Sequence, residues 1–220
     1  MGLIKDRELK IEPAYHSEHG FIYSMGNRKM GRVMSFSLPP IITCHPNAPC
    51  KDGDCYAIKM QRIYPTVKDS WKKNYELITS DECWGDIFVD DTVAAIRKKQ
   101  PAIFRWHVSG DIFSSWYLDD MRLIAEKCKD VQFWAFTKQF NILERYDRKM
   151  IPKNLNIILS IWPPHLPSDD LMKEYGCCYF QDKKESYDVP EDAYVCQGDC
   201  EECQVCTYLV PGDSVVIYKH

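Results

Sequence analysis

Three β-rich apolar runs recur through the middle of the chain, and a helical pattern separates each from the next. The runs are Ile103 to Val108, Val131 to Phe136 and Leu155 to Ile161. Between the first two, Ser115 to Cys128 places Leu118, Met121, Ile124 and Ala125 on one helical face. Between the last two, Phe140 to Arg148 turns Ile142, Leu143 and Tyr146 inward. This alternation predicts parallel βαβ units, because parallel neighbours need a long crossover. Right-handed crossovers then bring every strand's C-terminal end to one rim. In such sheets and barrels the chemistry sits outside that rim. A shorter run, Val33 to Leu38, precedes these. It is followed by a helical stretch from Tyr56 to about Ser80, which Pro65 divides, and by a second helix from Asp90 to Lys99 that Asp90 or Asp91 can cap. The class expected is α/β, with a partial (β/α) barrel over residues 1–175 and a cysteine-rich extension, 176–220, packed on it.

The segments after the strands carry the reactive residue types. Val33 to Leu38 leads into a loop with the spacing C-x5-C-x4-C: Cys44, Cys50 and Cys55, held open by Pro46, Pro49 and Gly53. Three thiolates with no fourth nearby would leave one metal position open, which is where metal chemistry happens. The plainer alternative is a structural site completed by His45, His107 or Cys83. Ser109-Gly110-Asp111, Thr137-Lys138 and Trp162 also follow strands and are expected on the same rim. Gly110-Asp111 also reads as an ordinary turn beside a helix cap, and Lys138 as a solvated cation. The aromatics Trp106, Phe113, Trp116, Trp134 and Trp162 are expected in the core rather than as a stacking platform, and His107 as a buried, hydrogen-bonded histidine. Ahead of the first core strand, Asn27 and Lys29 lie in a glycine-bracketed basic turn. It reads as a surface loop or as a clasp over the site mouth for a carboxylate or phosphate.

The tail supplies a second thiol set. Cys196, Cys200, Cys203 and Cys206 follow C-x3-C-x2-C-x2-C, enough for a tetrahedral Zn²⁺ or an iron–sulfur cluster. The close spacing favours a second [4Fe–4S] cluster over zinc. The chain carries 11 cysteines among 220 residues. No apolar signal-peptide core follows Met1, and no run approaches the roughly 18 residues of a membrane span. The expectation is therefore a cytoplasmic chain in a reducing compartment, where clustered thiols are metal ligands more often than disulfides. Its 45% hydrophobic residues support a true core, and its net charge of −4 argues against duplex nucleic acid as a partner.

Cys55-Tyr56-Ala57 resembles the close of the cluster loop in radical S-adenosylmethionine (SAM) enzymes, where an aromatic residue follows or neighbours the last cysteine. The order Ser109-Gly110-Asp111-Ile112-Phe113, Phe136-Thr137-Lys138, then an apolar strand, resembles an uncharacterised group of bacterial and phage radical-SAM-like proteins, the gene product 88 group. Ser37-Leu38-Pro39 and the cysteine-rich tail share in that resemblance, which runs from about residue 24 to 220. The gaps of five and four differ from the C-x3-C-x2-C of most radical-SAM enzymes, and no Gly-Gly-Glu stretch follows. The resemblance implies a barrel of radical-SAM type and a [4Fe–4S] cluster on Cys44, Cys50 and Cys55, whose fourth iron chelates SAM. Cleavage of SAM to a 5′-deoxyadenosyl radical would then begin chemistry on a small-molecule, nucleotide or peptide substrate, with electrons from a flavodoxin- or ferredoxin-type donor. Ser109, Gly110, Asp111, Thr137 and Tyr56 would line the cofactor pocket. Asp111 and Lys138 would be its polar working groups. The rival expectations are a non-catalytic zinc protein and an iron–sulfur protein that does not use SAM.

Overall fold

The computed structural model describes residues 10–52, 55–80, 85–181 and 187–218. Cys83 and the Gly53-Asp54 step of the first cysteine loop lie outside the described residues. The expected alternation forms one nine-stranded sheet: β1 (Tyr15–His16), β2 (Ile22–Ser24), β3 (Met34–Phe36), β4 (Ile103–Trp106), β5 (Gln132–Thr137), β6 (Leu155–Ile161), β7 (Gly176–Gln181), β8 (Tyr194–Val195) and β9 (Ser214–Tyr218). Their spatial order is β1-β2-β3-β4-β5-β6-β7-β9-β8. The two pairings at the β1 end are antiparallel, and every pairing from β3 to β8 is parallel. The fold is therefore mixed α/β with a mostly parallel sheet. The sheet does not close on itself; β1 and β8 are its edges.

Central β6 shows why the sheet takes two covering layers. Leu155, Ile157, Leu159 and Ile161 pack on one side, while Asn156, Ile158 and Ser160 face the other. Such a strand reads as a nearly continuous apolar run because both faces are covered. The first layer consists of α2 (Pro65–Ile78), α3 (Gly85–Lys99), α4 (Ser115–Lys127), α5 (Phe140–Leu143) and α6 (Asp169–Met172), all contributing to one core cluster. Strand order advances steadily from β3 to β7, so right-handed crossovers must all fall on this side. The direction reverses at the end, since β8 lies outside β9. The β8-to-β9 crossover, with α7 (Cys200–Cys203), is thereby sent to the opposite face, where Cys196, Cys200, Val205 and Cys206 pack against Trp134, Ile158, Cys178 and Val215.

Local chemistry sets the boundaries. Pro65 sits at the first turn of α2, and Tyr64 serves both as its N-cap and as the C-cap of α1 (Tyr56–Ile63). Ser114 caps α4. The helix expected from Asp90 begins earlier, at Gly85. Asp90 and Asp91 therefore lie within it and pair with Lys127 and His19 instead of capping. The helix expected over residues 140–148 ends at Leu143, and a separate turn capped by Asp147 follows. β4 stops at Trp106 because His107 takes a φ of +59°. That break turns the imidazole to the helix side, where Nε2 lies 2.9 Å from the Tyr117 hydroxyl. Burial holds His107 neutral, with its pKa lowered to about 3. This matches a buried, hydrogen-bonded core histidine, with Nε2 engaged by Tyr117. Among the described residues no helix is long and apolar enough to cross a membrane.

Buried Asn74 fastens α2 to the sheet. Its carboxamide accepts from Ile22 N at 2.8 Å and donates to Ile22 O at 2.9 Å and Ser37 O at 3.1 Å. Asn74→Ala leaves the half-buried Ile22 N–H and C=O and the buried Ser37 C=O without this partner, so unfolding in urea should show a loss of about 2 kcal/mol or more. A loss within about 0.5 kcal/mol, the range of an ordinary surface substitution, would contradict this role.

Candidate metal centres

The first thiol set is built by a strained loop and a helix start. Ile41 opens the loop with a φ of +75°, rare for a β-branched residue. Its carbonyl accepts from Cys44 N at 3.3 Å. A 3₁₀ turn, Pro49–Asp52, carries Cys50, and Cys55 is the N-cap of α1. The three thiols lie within one another's field, and the Cys50 thiol donates to the Cys55 sulfur. That hydrogen bond lowers the Cys55 pKa to about 6, aided by the N–H groups of Ile58 and Ala57 and by Lys138. Cys50, as the donor, is pushed upward, and burial together with the Asp111 charge raises Cys44 to about 11.

Asp111 ties this loop to the strand ends. Its Oδ1 accepts from Thr137 Oγ1 at 2.6 Å and Ile112 N at 2.7 Å, and its Oδ2 accepts from Lys138 N at 2.9 Å. Asp111 N donates to Thr43 Oγ1, whose hydroxyl donates to Pro39 O. Gln139 Nε2 donates to Thr43 O at 3.0 Å, completing a lattice across three loops. Burial raises the Asp111 pKa against these donors. Gly110 has a φ of +85°, and a Cβ there would fall 2.7 Å from Leu38 Cβ, so packing alone demands glycine. Ser109 and Thr137 are buried as well: Ser109 O accepts from Leu38 N, and Thr137 Oγ1 accepts from Gln139 N. Ser109, Gly110, Asp111 and Thr137 thus form a buried support under the thiol loop, and Tyr56 stands exposed at the start of α1.

Lys138 is the half-buried cation of the rim. Its Nζ donates to Ser160 Oγ at 2.8 Å and lies 5.6 Å from the Trp162 ring centre. Trp162 stacks on Phe180 at 4.2 Å. Among the described residues no carboxylate lies within ion-pair distance of this ammonium, whereas Cys50, Cys55 and Cys178 all feel its charge. Nearby, His45 stacks on His165 at 4.1 Å, and His165 Nε2 sits 2.8 Å from Lys138 O. Trp106 and Trp134 are core residues as expected, but Trp116 is 45% exposed. Thr43, Gln139, Ser160 and His165 belong to this rim yet carry no sequence motif; only their places after strands could have suggested them.

The second thiol set lies on the sheet face below. Cys196, Cys200, Cys203 and Cys206 line one small cavity with Trp134, Tyr194 and Val215. Cys196 N donates to Val216 O, and Asn156 Nδ2 donates to Cys206 O. The basic turn clasps this set instead of the first. Asn27 Oδ1 accepts from Lys29 N and Met30 N within the turn, Glu201 N donates to Met30 O, and Arg32 pairs with Glu201 at 2.6 Å. The Lys29 side chain lies against Gly198.

All ten described cysteines are free thiols. Both donor sets are of the chemical type a thiophilic metal takes: in each, cysteines lie within one another's field, and Cys55 is already poised as a thiolate. Among the described residues no three ligand-type side chains surround a common point; in the first loop the Cys50 thiol is hydrogen-bonded to Cys55 instead. In metal-free protein, iodoacetamide should label Cys55 ahead of Cys44 and Cys50, with a rate rising through pH about 6 as the thiolate forms. Cys50→Ala removes the donor and should move that midpoint upward. Equal labelling of all three at pH 7 would refute the pairing.

Residues 5–208 match the family model described as "Gene product 88". Two relatives are the "Gene 88 protein" of Mycobacterium phage D29, 28% identical over 125 residues, and its namesake from Mycobacterium phage L5, 29% identical over 125 residues. Each alignment covers 51% of this chain, and 50% and 51% of the respective relatives, so the chain spans about half the length of the curated relatives it matches. No solved structure matches the chain. The family match covers nearly the whole chain, from before β1 to the tail thiols, and the chain belongs to the Gene product 88 family.

Proposed function

We propose that this chain is a cytoplasmic iron–sulfur enzyme in which Cys44, Cys50 and Cys55 hold three irons of a [4Fe–4S] cluster and leave the fourth open to SAM. The observation that carries this reading is the meeting of three thiols from one loop at the C-terminal rim of a parallel sheet, beside Asp111 and Lys138. On this reading the open sheet is a partial (β/α) barrel of radical-SAM type. The cluster and SAM together would supply a one-electron route to hydrogen abstraction from substrate.

The chain's own residues do the positioning. Cys55 offers a thiolate at the N-terminus of α1, while Cys44 and Cys50 release protons on metallation, so binding should weaken as pH falls. Lys138 is held by Ser160 where its charge offsets the thiolates or meets a carboxylate. Buried Asp111 fixes the loops through Thr137, Lys138 and Thr43, so its working role is to hold the rim in register. The tail thiols Cys196, Cys200, Cys203 and Cys206 supply a second centre, iron–sulfur or zinc.

Anaerobic reconstitution with iron and sulfide should give brown protein with about four irons at the first centre. The combined Cys44→Ala, Cys50→Ala and Cys55→Ala variant should lose that iron while keeping the tail's metal. Unchanged iron in the triple variant defeats the cluster assignment, and colourless protein with stoichiometric zinc favours a structural site. SAM use has its own test: reduced protein should release 5′-deoxyadenosine, and none under several reductants removes SAM from the reading.

A further inference from the structure

The adjacent pair Cys177-Cys178 lies in β7, where successive side chains point to opposite faces. Cys177 enters the core beneath the crossover helices, and Cys178 enters the cluster beneath the tail. Cys178 is 4% exposed and shares its packing group with Cys196, Cys200 and Cys206, but not with Cys203. The tail is pressed onto β7 at this level. A Cβ at Gly176 would fall 3.0 Å from Leu209 Cβ, and Cys178 pairs in register with Val215 of β9. Cys203 borders the same cavity as the other tail thiols, but its own thiol is engaged, donating to the Tyr194 hydroxyl at 3.5 Å.

Charge at this spot is also one-sided. Arg105 projects from β4 onto the same face, touching Met30 Sδ at 3.2 Å and stacking its guanidinium 5.4 Å from the Phe136 ring centre. Its buried Nε meets no partner among the described residues. Cys178, Cys200 and Cys206 all lie within reach of that guanidinium, and Cys178 within reach of Lys138. A guanidinium that has no carboxylate within ion-pair distance among the described residues, beside a group of sulfurs, suits a site whose occupied form carries net negative charge, as a tetrathiolate metal does.

We propose that Cys178 is a ligand of the tail metal centre together with Cys196, Cys200 and Cys206, and that Cys203 stands outside the ligand set. This rests on the reading of the tail as a metal centre and corrects its ligands. β7 then supplies a sulfur from the sheet itself, and the tail sulfurs close over it.

The test uses the full chain with Cys44, Cys50 and Cys55 replaced by Ala, so that only the tail centre reports, and Co²⁺ as the probe. Thiolate-to-cobalt absorption should disappear in Cys178→Ala and persist in Cys203→Ala and in Cys177→Ala, which removes an equal side chain from the other face. Loss in Cys203→Ala with retention in Cys178→Ala overturns the proposal and leaves a tail centre standing. No cobalt in the background protein removes that centre and the proposal with it. Should Cys178→Ala fail to fold, alkylation of the cobalt-loaded background protein decides. Modification of Cys203 with the metal retained supports the proposal, and protection of Cys203 overturns it.

Discussion

The reversal of strand order at β8 and β9 governs how the two halves of the chemistry come together. Up to β7 each strand is added on the same side, and right-handed crossovers stack every helix on one face of the sheet. A sheet wound in this way leaves its second face uncovered unless it curls into a barrel. Here the sheet stays open, and one backward step from β8 to β9 carries the tail over to cover it. The segment doing the covering is short and rich in cysteine, and its longest helix has only four residues. Few apolar side chains are available to it, so thiols, the Arg32–Glu201 pair and backbone hydrogen bonds perform work that elsewhere falls to an amphipathic helix.

The rim depends on a different device. Loops after three parallel strands have no ladder to align them, and Asp111 supplies the alignment from within. Its carboxylate oxygens accept from Thr137 at the end of β5 and from Lys138 just after it, while its own N–H reaches Thr43 beside the cysteine loop. Burial makes that carboxylate costly to ionise, and the donors from Thr137, Lys138 and Ile112 offset the cost. Such a buried network fixes geometry more than it adds stability. A thiol loop that must hold sulfurs at fixed separations needs this kind of support.

Legibility in the sequence followed periodicity. β6 is found at the expected residues, and α4 within one residue, because a full period of apolar residues marks each. β7 carries no such mark: its Cys-Cys-Tyr-Phe falls at the start of the cysteine-rich extension and shows too short an alternation to reveal the opposite destinations of Cys177 and Cys178. The convergence of Cys44–Cys55, Asp111 and Lys138 on one rim was readable from their places after strands. Their burial was not. That Ser109, Gly110 and Thr137 support the loop from beneath depends on contacts with Leu38, Thr43 and Gln139, and those residues carry no motif. The clasp of residues 27–32 on the tail joins positions 169 residues apart, beyond the reach of any local pattern.

Lys138 links the two thiol sets. It follows β5 at the rim, where its charge favours the Cys50 and Cys55 thiolates, yet it also acts on Cys178 one layer down the sheet face. Ser160 and the Trp162 ring hold the ammonium between them, and neither can neutralise it. A half-buried cation costs free energy unless negative charge lies close by. The buried Asp111 carboxylate and the Cys55 thiolate are anionic groups whose charges interact with this ammonium. Arg105 stands in the same relation to the lower set. The two cations therefore offset part of the burial that raises the Cys178, Cys200 and Cys206 thiols, and the open, singly wound sheet makes that shared face possible.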